Sequence, residues 1–180
     1  DETESFKLGP LNLSIQKGDA VVIDGGNGSG KSTFIDILTF LYERKQGTLL
    51  YNGLEMSDED IVPFREKIAI VFRESYLFQF NYESLDLIAS KEYHRLIRLF
   101  QIEEIGLRFA ADFTTIVKLS SGQKKRLALI LSLLDDKEIL VLDEWEAEQQ
   151  ESFRNLFYYQ IIPELKNKRK TVIAISHDRH

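Results

Sequence analysis

Ala20-Val21-Val22-Ile23-Asp24, then Gly25-Gly26-Asn27-Gly28-Ser29-Gly30-Lys31-Ser32, then Thr33-Phe34-Ile35-Asp36-Ile37-Leu38 is the stretch on which the fold turns. Ala20 to Ile23 is a short continuous apolar run, the pattern of a strand buried on both faces. Gly25 to Ser32 fits G-x-x-x-x-G-K-[ST], and Ser32 to Tyr42 has the composition of a helix. Strand, glycine loop and helix in that order form the context this motif needs. The glycines let consecutive backbone N–H groups curl inward onto phosphate oxygens, and the helix adds its positive N-terminal end.

Residues Gly25 to Thr33 are therefore the candidate nucleotide-binding segment. Within it, Lys31 is set to reach the outer phosphates and the Ser32 hydroxyl to hold Mg²⁺. A second acidic element matches it. Ile139-Leu140-Val141-Leu142-Asp143-Glu144 is an apolar strand ending in two carboxylates. Open α/β sheets bind ligands at the C-terminal ends of their strands, so both carboxylates should emerge beside the phosphate loop. Asp143 is then placed to bind Mg²⁺, directly or through water. Glu144 is placed to polarise a water for attack on the outer phosphate.

Outward from these motifs, strands alternate with helices. Alternation of Leu11, Leu13 and Ile15 with polar residues predicts a half-buried strand over 6–15, followed by a turn at 17–19. Further strands are expected over 47–51, ending at an Asn52-Gly53 turn, and over 67–72, 138–142 and 171–176. Helices are expected over 58–65, 123–134 and 151–165. Between Glu74 and Thr115 the strand signals stop, and Leu87, Ile88, Leu96, Ile97 and Phe100 recur at helical spacing. The fold class is therefore α/β, a mostly parallel sheet with helices on both faces, a small antiparallel β element and a helical insertion.

Composition narrows the function. The chain has 180 residues, 43% hydrophobic and 29% charged, which suits one globular domain. A formal net charge of -6 without a long basic stripe argues against nucleic acid as a partner. With no cysteine, disulfides and thiolate metal sites are excluded, and three histidines are too scattered for a metal cluster. No apolar run reaches the roughly 18 residues of a membrane-spanning helix. The chain opens at Asp1 without a methionine, which suggests a piece of a longer polypeptide.

Leu119-Ser120-Ser121-Gly122-Gln123, followed by Lys-Lys-Arg-Leu-Ala-Leu, resembles the signature motif of ABC ATPase domains, and Ile175-Ser176-His177-Asp178 resembles their switch-histidine segment. The resemblance covers nearly the whole chain. It implies a P-loop NTPase of the ABC type, with a core over 1–72 and 116–180 and a helical subdomain over about 73–115. It also implies ATP and Mg²⁺ as ligands and a head-to-tail pair of cassettes. Ser120, Ser121, Gly122 and Gln123 would then act on the ATP of the partner copy, and His177 would hold the outer phosphate beside the catalytic Glu144 and Lys31. A narrower likeness, in Phe6 to Pro10, Gly25 to Ser29, Asp143-Glu144-Trp145 and Ile175 to Asp178, is to cyclic-peptide, microcin and siderophore exporters. It implies transmembrane domains as further partners, at the cytoplasmic face of a membrane.

Three positions depart from the ABC pattern. Arg73 stands where a metal-touching glutamine is usual, and an arginine cannot coordinate a cation. Gln150 replaces an aspartate that contacts the partner cassette. The adenine-stacking aromatic usual upstream of the phosphate loop has Phe6 as a candidate, with a residue before Asp1 as the alternative. Two other readings stay open: a soluble ABC ATPase without a membrane partner, and an ATP-binding regulatory module that hydrolyses poorly.

Overall fold

The computed structural model describes residues 7–74, 77 and 86–176, apart from the side chain of Thr115. Its strands are β1 (Ala20–Asp24), β2 (Leu50–Tyr51), β3 (Leu54–Glu55), β4 (Ile68–Val71), β5 (Ile139–Asp143) and β6 (Thr171–Ser176). Its α-helices are α1 (Lys31–Leu38), α2 (Ile61–Arg65), α3 (Lys91–Leu99), α4 (Glu103–Ala111), α5 (Ser121–Leu134), α6 (Glu151–Leu156) and α7 (Ile162–Asn167). Strands β1, β6, β5 and β4 lie side by side in that order, all parallel, while β2 and β3 form a separate antiparallel hairpin. The hairpin turns on Asn52 and Gly53, both at positive φ, as a tight two-residue turn requires.

The core explains why β5 and β6 are apolar throughout. Leu140, Leu142, Val172 and Ala174 pack on one face with residues of α3 to α7. Val141, Ile173 and Ile175 pack on the other, with Ile35 of α1 and Phe64 of α2. Helices thus cover both faces of the central strands, as the alternation of elements predicts.

Several expectations are corrected. Residues 7–16 form no strand, and Leu11 and Leu13 are exposed. Alternation alone does not make a strand; its backbone groups need a neighbouring strand, and none of the described strands pairs with these. Strand β1 is not buried on both faces. Among the described residues it lies at the sheet edge and pairs with β6 alone, so its residues alternate between exposed and half-buried. Helix α1 stops at Leu38, short of Tyr42, because Phe40 takes a left-handed conformation (φ 58°). There the Thr39 hydroxyl donates back to the Ile35 carbonyl at 2.8 Å. The strand expected over 47–51 shrinks to Leu50–Tyr51. The helix expected over 151–165 runs from Glu151 to Asn167 but opens into a π-helical turn at Phe157–Ile161. Pro163 lies just beyond that turn, and its missing N–H breaks the regular bonding one turn earlier.

Between 74 and 115 the described residues carry α3 and α4, crossing closely. Tyr93 donates its hydroxyl to the Gly106 carbonyl at 2.8 Å. A Cβ on Gly106 would sit 2.5 Å from Cγ2 of the fully buried Ile97. Two effects compete in Gly106→Ala: a helix-propensity gain of about 1 kcal/mol and an overpacking cost of about 1–3 kcal/mol. Ile97 has no room to yield, so the cost should win. A lowered urea midpoint with an unchanged slope is the expected result. Among the described residues no helix is long and apolar enough to cross a membrane.

Candidate functional site

The register of the parallel sheet brings the motifs together. Asp24 pairs with Ser176 and Asp143 with Ile175, so β1, β5 and β6 end at one edge of the sheet. From that edge spring the glycine loop and the Asp143-Glu144 pair, and β6 ends there at Ser176. Val71 is paired with Leu142. Arg73 and Glu144 each lie two residues further on, and so also reach this edge.

The loop between β1 and α1 is built for a tight curl. Gly28 and Gly30 have φ of 75° and 92°, values that side chains at these positions would resist. Asp24 accepts the Gly25 N–H at 2.6 Å. The Lys31 ammonium, 8% exposed as a residue, folds back onto the Gly25 and Gly26 carbonyls at 2.6 and 3.0 Å. The phosphate-binding lysine is thus held at the loop it would serve.

Ser32, in the first turn of α1, donates its hydroxyl to Asp143 at 3.3 Å across 111 residues of sequence. Burial pushes the Asp143 carboxyl above its ordinary range, with the charges of Glu144 and Asp36 adding to the effect; the Ser32 hydroxyl and the Arg73 backbone N–H partly offset it. A cation nearby would lower it again. Two oxygen ligands side by side fit a hard ion that completes its shell with phosphate and water, the habit of Mg²⁺. Among the described residues no group of three or more His, Asp or Glu side chains is arranged for a metal.

Glu144 itself has φ 48°, a left-handed turn that aims consecutive side chains in different directions. Trp145 goes into the core, against Phe153 and Phe157. Glu144 lines an open cleft with Asp24, Gly25, Gly26, Asn27, Arg73 and Ala147. Its carboxylate is 7% exposed and pairs with Arg73 Nε at 3.3 Å, while the Arg73 side chain is 68% exposed.

The signature residues sit at the start of α5, outside that cleft lining. Ser120 caps the helix by accepting the Gln123 N–H at 3.3 Å, and Gln123 Oε1 accepts the Ser120 N–H at 3.0 Å. Ser121 is exposed. A Cβ on Gly122 would come within 2.9 Å of the Glu148 carbonyl, so only glycine lets α5 approach this loop so closely. Gln149 then donates to the Gly122 carbonyl at 3.1 Å. Gln150 is exposed and precedes α6 without a side-chain cap. Phe6 and His177 lie outside the described residues.

Sequence reasoning missed two residues here. Glu146 is buried and accepts hydrogen bonds from the Ser176 and Tyr158 hydroxyls, tying the end of β6 to the loop after Glu144. Lys125, its side chain 3% exposed, reaches from α5 to the Glu144 carbonyl at 3.2 Å and to Glu148 at 3.7 Å. It stands in the basic run Lys124-Lys125-Arg126, where charge argues for solvent, and only its helix phase marks it as inward-facing. Lys125→Ala would leave the Glu144 carbonyl without this donor, at about 1–3 kcal/mol. The expected result is a lower unfolding midpoint together with reduced turnover, since the backbone that aims Glu144 loses an anchor.

Residues 8–147 match the model of the family described as ABC transporter. This chain belongs to the ABC transporter family. The ATP-binding protein SyrD of Pseudomonas syringae pv. syringae is 34% identical over 98% of the cassette, which covers 31% of that relative. The ATP-dependent lipid A-core flippase of Blochmanniella floridana is 30% identical over 96% of it, covering 32% of the flippase. The cassette thus spans about a third of the length of these relatives. Among solved structures, a dimeric ATP-binding cassette in a post-hydrolysis state, bound to ADP and phosphate, superposes with a TM-score of 0.75 at 25% identity. That match covers 96% of the cassette and 84% of the solved chain. The cassette is an ABC transporter ATPase domain.

Proposed function

We propose that this cassette binds ATP with Mg²⁺ in the cleft between the glycine loop and Glu144, and hydrolyses it to drive export through transmembrane domains. The observation that carries the reading is the meeting of Ser32, Asp143 and Glu144 beside the Gly25–Asn27 loop. The domain would work as one unit, with its core over 1–72 and 116–180 and its helical part over about 73–115.

In this reading the N–H groups of Gly25 to Thr33 and the Lys31 ammonium hold the phosphates. Ser32 and Asp143 hold Mg²⁺, which supplies neutralising charge across the outer phosphates. Glu144 accepts a proton from the attacking water as its oxygen bonds to the outer phosphorus, and the bond to the bridging oxygen breaks to release ADP. His177 steadies the outer phosphate. A second cassette, packed head-to-tail, completes each site with Ser120, Ser121, Gly122 and Gln123. Relatives named as a flippase, and a solved dimeric cassette with bound ADP and phosphate, support the membrane setting and the pairing. The likeness to cyclic-peptide and siderophore exporters supports a peptide or siderophore-like cargo and a place at the cytoplasmic face of the membrane.

The test is the mass of the Glu144→Gln variant by light scattering. A dimer that forms only with ATP and Mg²⁺ is the expected result. A monomer that still binds ATP would refute the paired arrangement.

A further inference from the structure

Arg73 is the least expected residue of the cleft, because it puts a permanent positive charge where nucleotide would lie. Its position is well determined. The backbone N–H donates to the carboxylate of Asp143, and β4 is in register with β5, so the stem of Arg73 is anchored beside both carboxylates. The head is not. Arg73 Nε is 3.3 Å from Glu144, yet the arginine side chain is 68% exposed while that of Glu144 is 7% exposed. One member of the pair is held in the wall and the other reaches it from solvent. Gly25, Gly26 and Asn27 line the same cleft.

This asymmetry has a consequence for a triphosphate. An ion pair with one well-solvated member is weak and readily exchanged. A phosphate is a better partner for a guanidinium than one carboxylate oxygen, since it offers several acceptor oxygens in the fork geometry. We propose that Arg73 makes this cassette prefer ATP over ADP: its guanidinium rests on Glu144 without nucleotide and transfers to the outer phosphate when ATP binds. ADP has no group at that point of the cleft, so Arg73 stays on Glu144. The transfer also leaves the Glu144 carboxylate to water only when an outer phosphate is present to be attacked. This rests on the reading of the cleft as an ATP site.

The test is a binding cycle with two probes, ADP and the β,γ-imido analogue of ATP, each with Mg²⁺, at protein concentrations where light scattering gives a monomer. Arg73→Ala should weaken the analogue about tenfold and change ADP by less than about twofold. Arg73→Lys should recover part of the loss, since the charge returns without the fork. Glu144→Gln should tighten the analogue when Arg73 is present and leave it unchanged in the Arg73→Ala background, because the resting pair is what it removes. ADP binding also reports that each variant is folded. Equal effects on the two nucleotides, or none on either, would overturn the role of Arg73 while leaving the ATP site standing. Absence of binding of both nucleotides by the unmodified chain would overturn the ATP-site reading and this inference with it.

Discussion

Glu144→Gln should lower ATP turnover by about 10²–10³-fold without any loss of nucleotide binding. The amide has nearly the shape of the carboxylate but cannot take up a proton, and a positioned general base contributes about 10²–10⁴-fold. The left-handed backbone at Glu144 and the packing of Trp145 against Phe157 do not depend on the carboxylate. The fold should therefore be untouched. The loss of the Arg73 contact removes only a pair with one exposed member, which is worth little to stability. Steady-state phosphate release checks the prediction. Turnover equal to that of the unmodified chain would show that water is activated by some other group.

Lys31→Ala has the second large effect, and it falls on binding. The ammonium is sequestered at the base of the glycine loop, hydrogen-bonded to Gly25 and Gly26 carbonyls. It has little water to lose when phosphates arrive. Truncating one member of a buried, hydrogen-bonded charge pair costs about 2–5 kcal/mol, or roughly 30- to 5,000-fold in affinity. ATP and ADP should both weaken, because the lysine sits at the loop shared by the inner and outer phosphates. Titration with a fluorescent nucleotide measures this. A variant that binds ATP as well as the unmodified chain would remove Lys31 from the site. The contrast with Arg73, whose loss should spare ADP, separates the two cations by experiment.

How much of this could be read from the chain follows from how local each feature is. The glycine loop, the cap of α5 by Ser120 and Gln123, and the turn at Asn52-Gly53 are decided by neighbours within a few residues, and all three appear as their residue types dictate. Strand β6 occupies the span its apolar run predicts, Thr171 to Ser176, and is buried throughout between β1 and β5. Strand β1 has the same kind of run, yet it lies at the edge. Its apolar residues do not encode how many neighbours it will have.

Helix ends were less legible than helix existence. Composition favours helix through Tyr42, but Phe40 adopts the left-handed conformation, and Arg65 of α2 donates to the freed Thr39 and Phe40 carbonyls. That capping comes from 25 and 26 residues away, beyond any local pattern. Lys125 shows the same limit in the opposite sense. Its charge argues for solvent, while the phase of α5 sends it inward to the Glu144 carbonyl.

By itself, the sequence determined the chemistry available to this protein. A glycine loop with a lysine and a serine, and an apolar strand ending in two carboxylates, point to phosphate binding and water activation through residue type and short spacing. Tertiary structure decided which groups meet. The pairing of β4 with β5 brings together Arg73 and Glu144, and the order of the sheet sets Ser32 against Asp143 across 111 residues. Such contacts depend on strand register and sheet order, which arise from the packing of the whole core and leave no mark in any single segment.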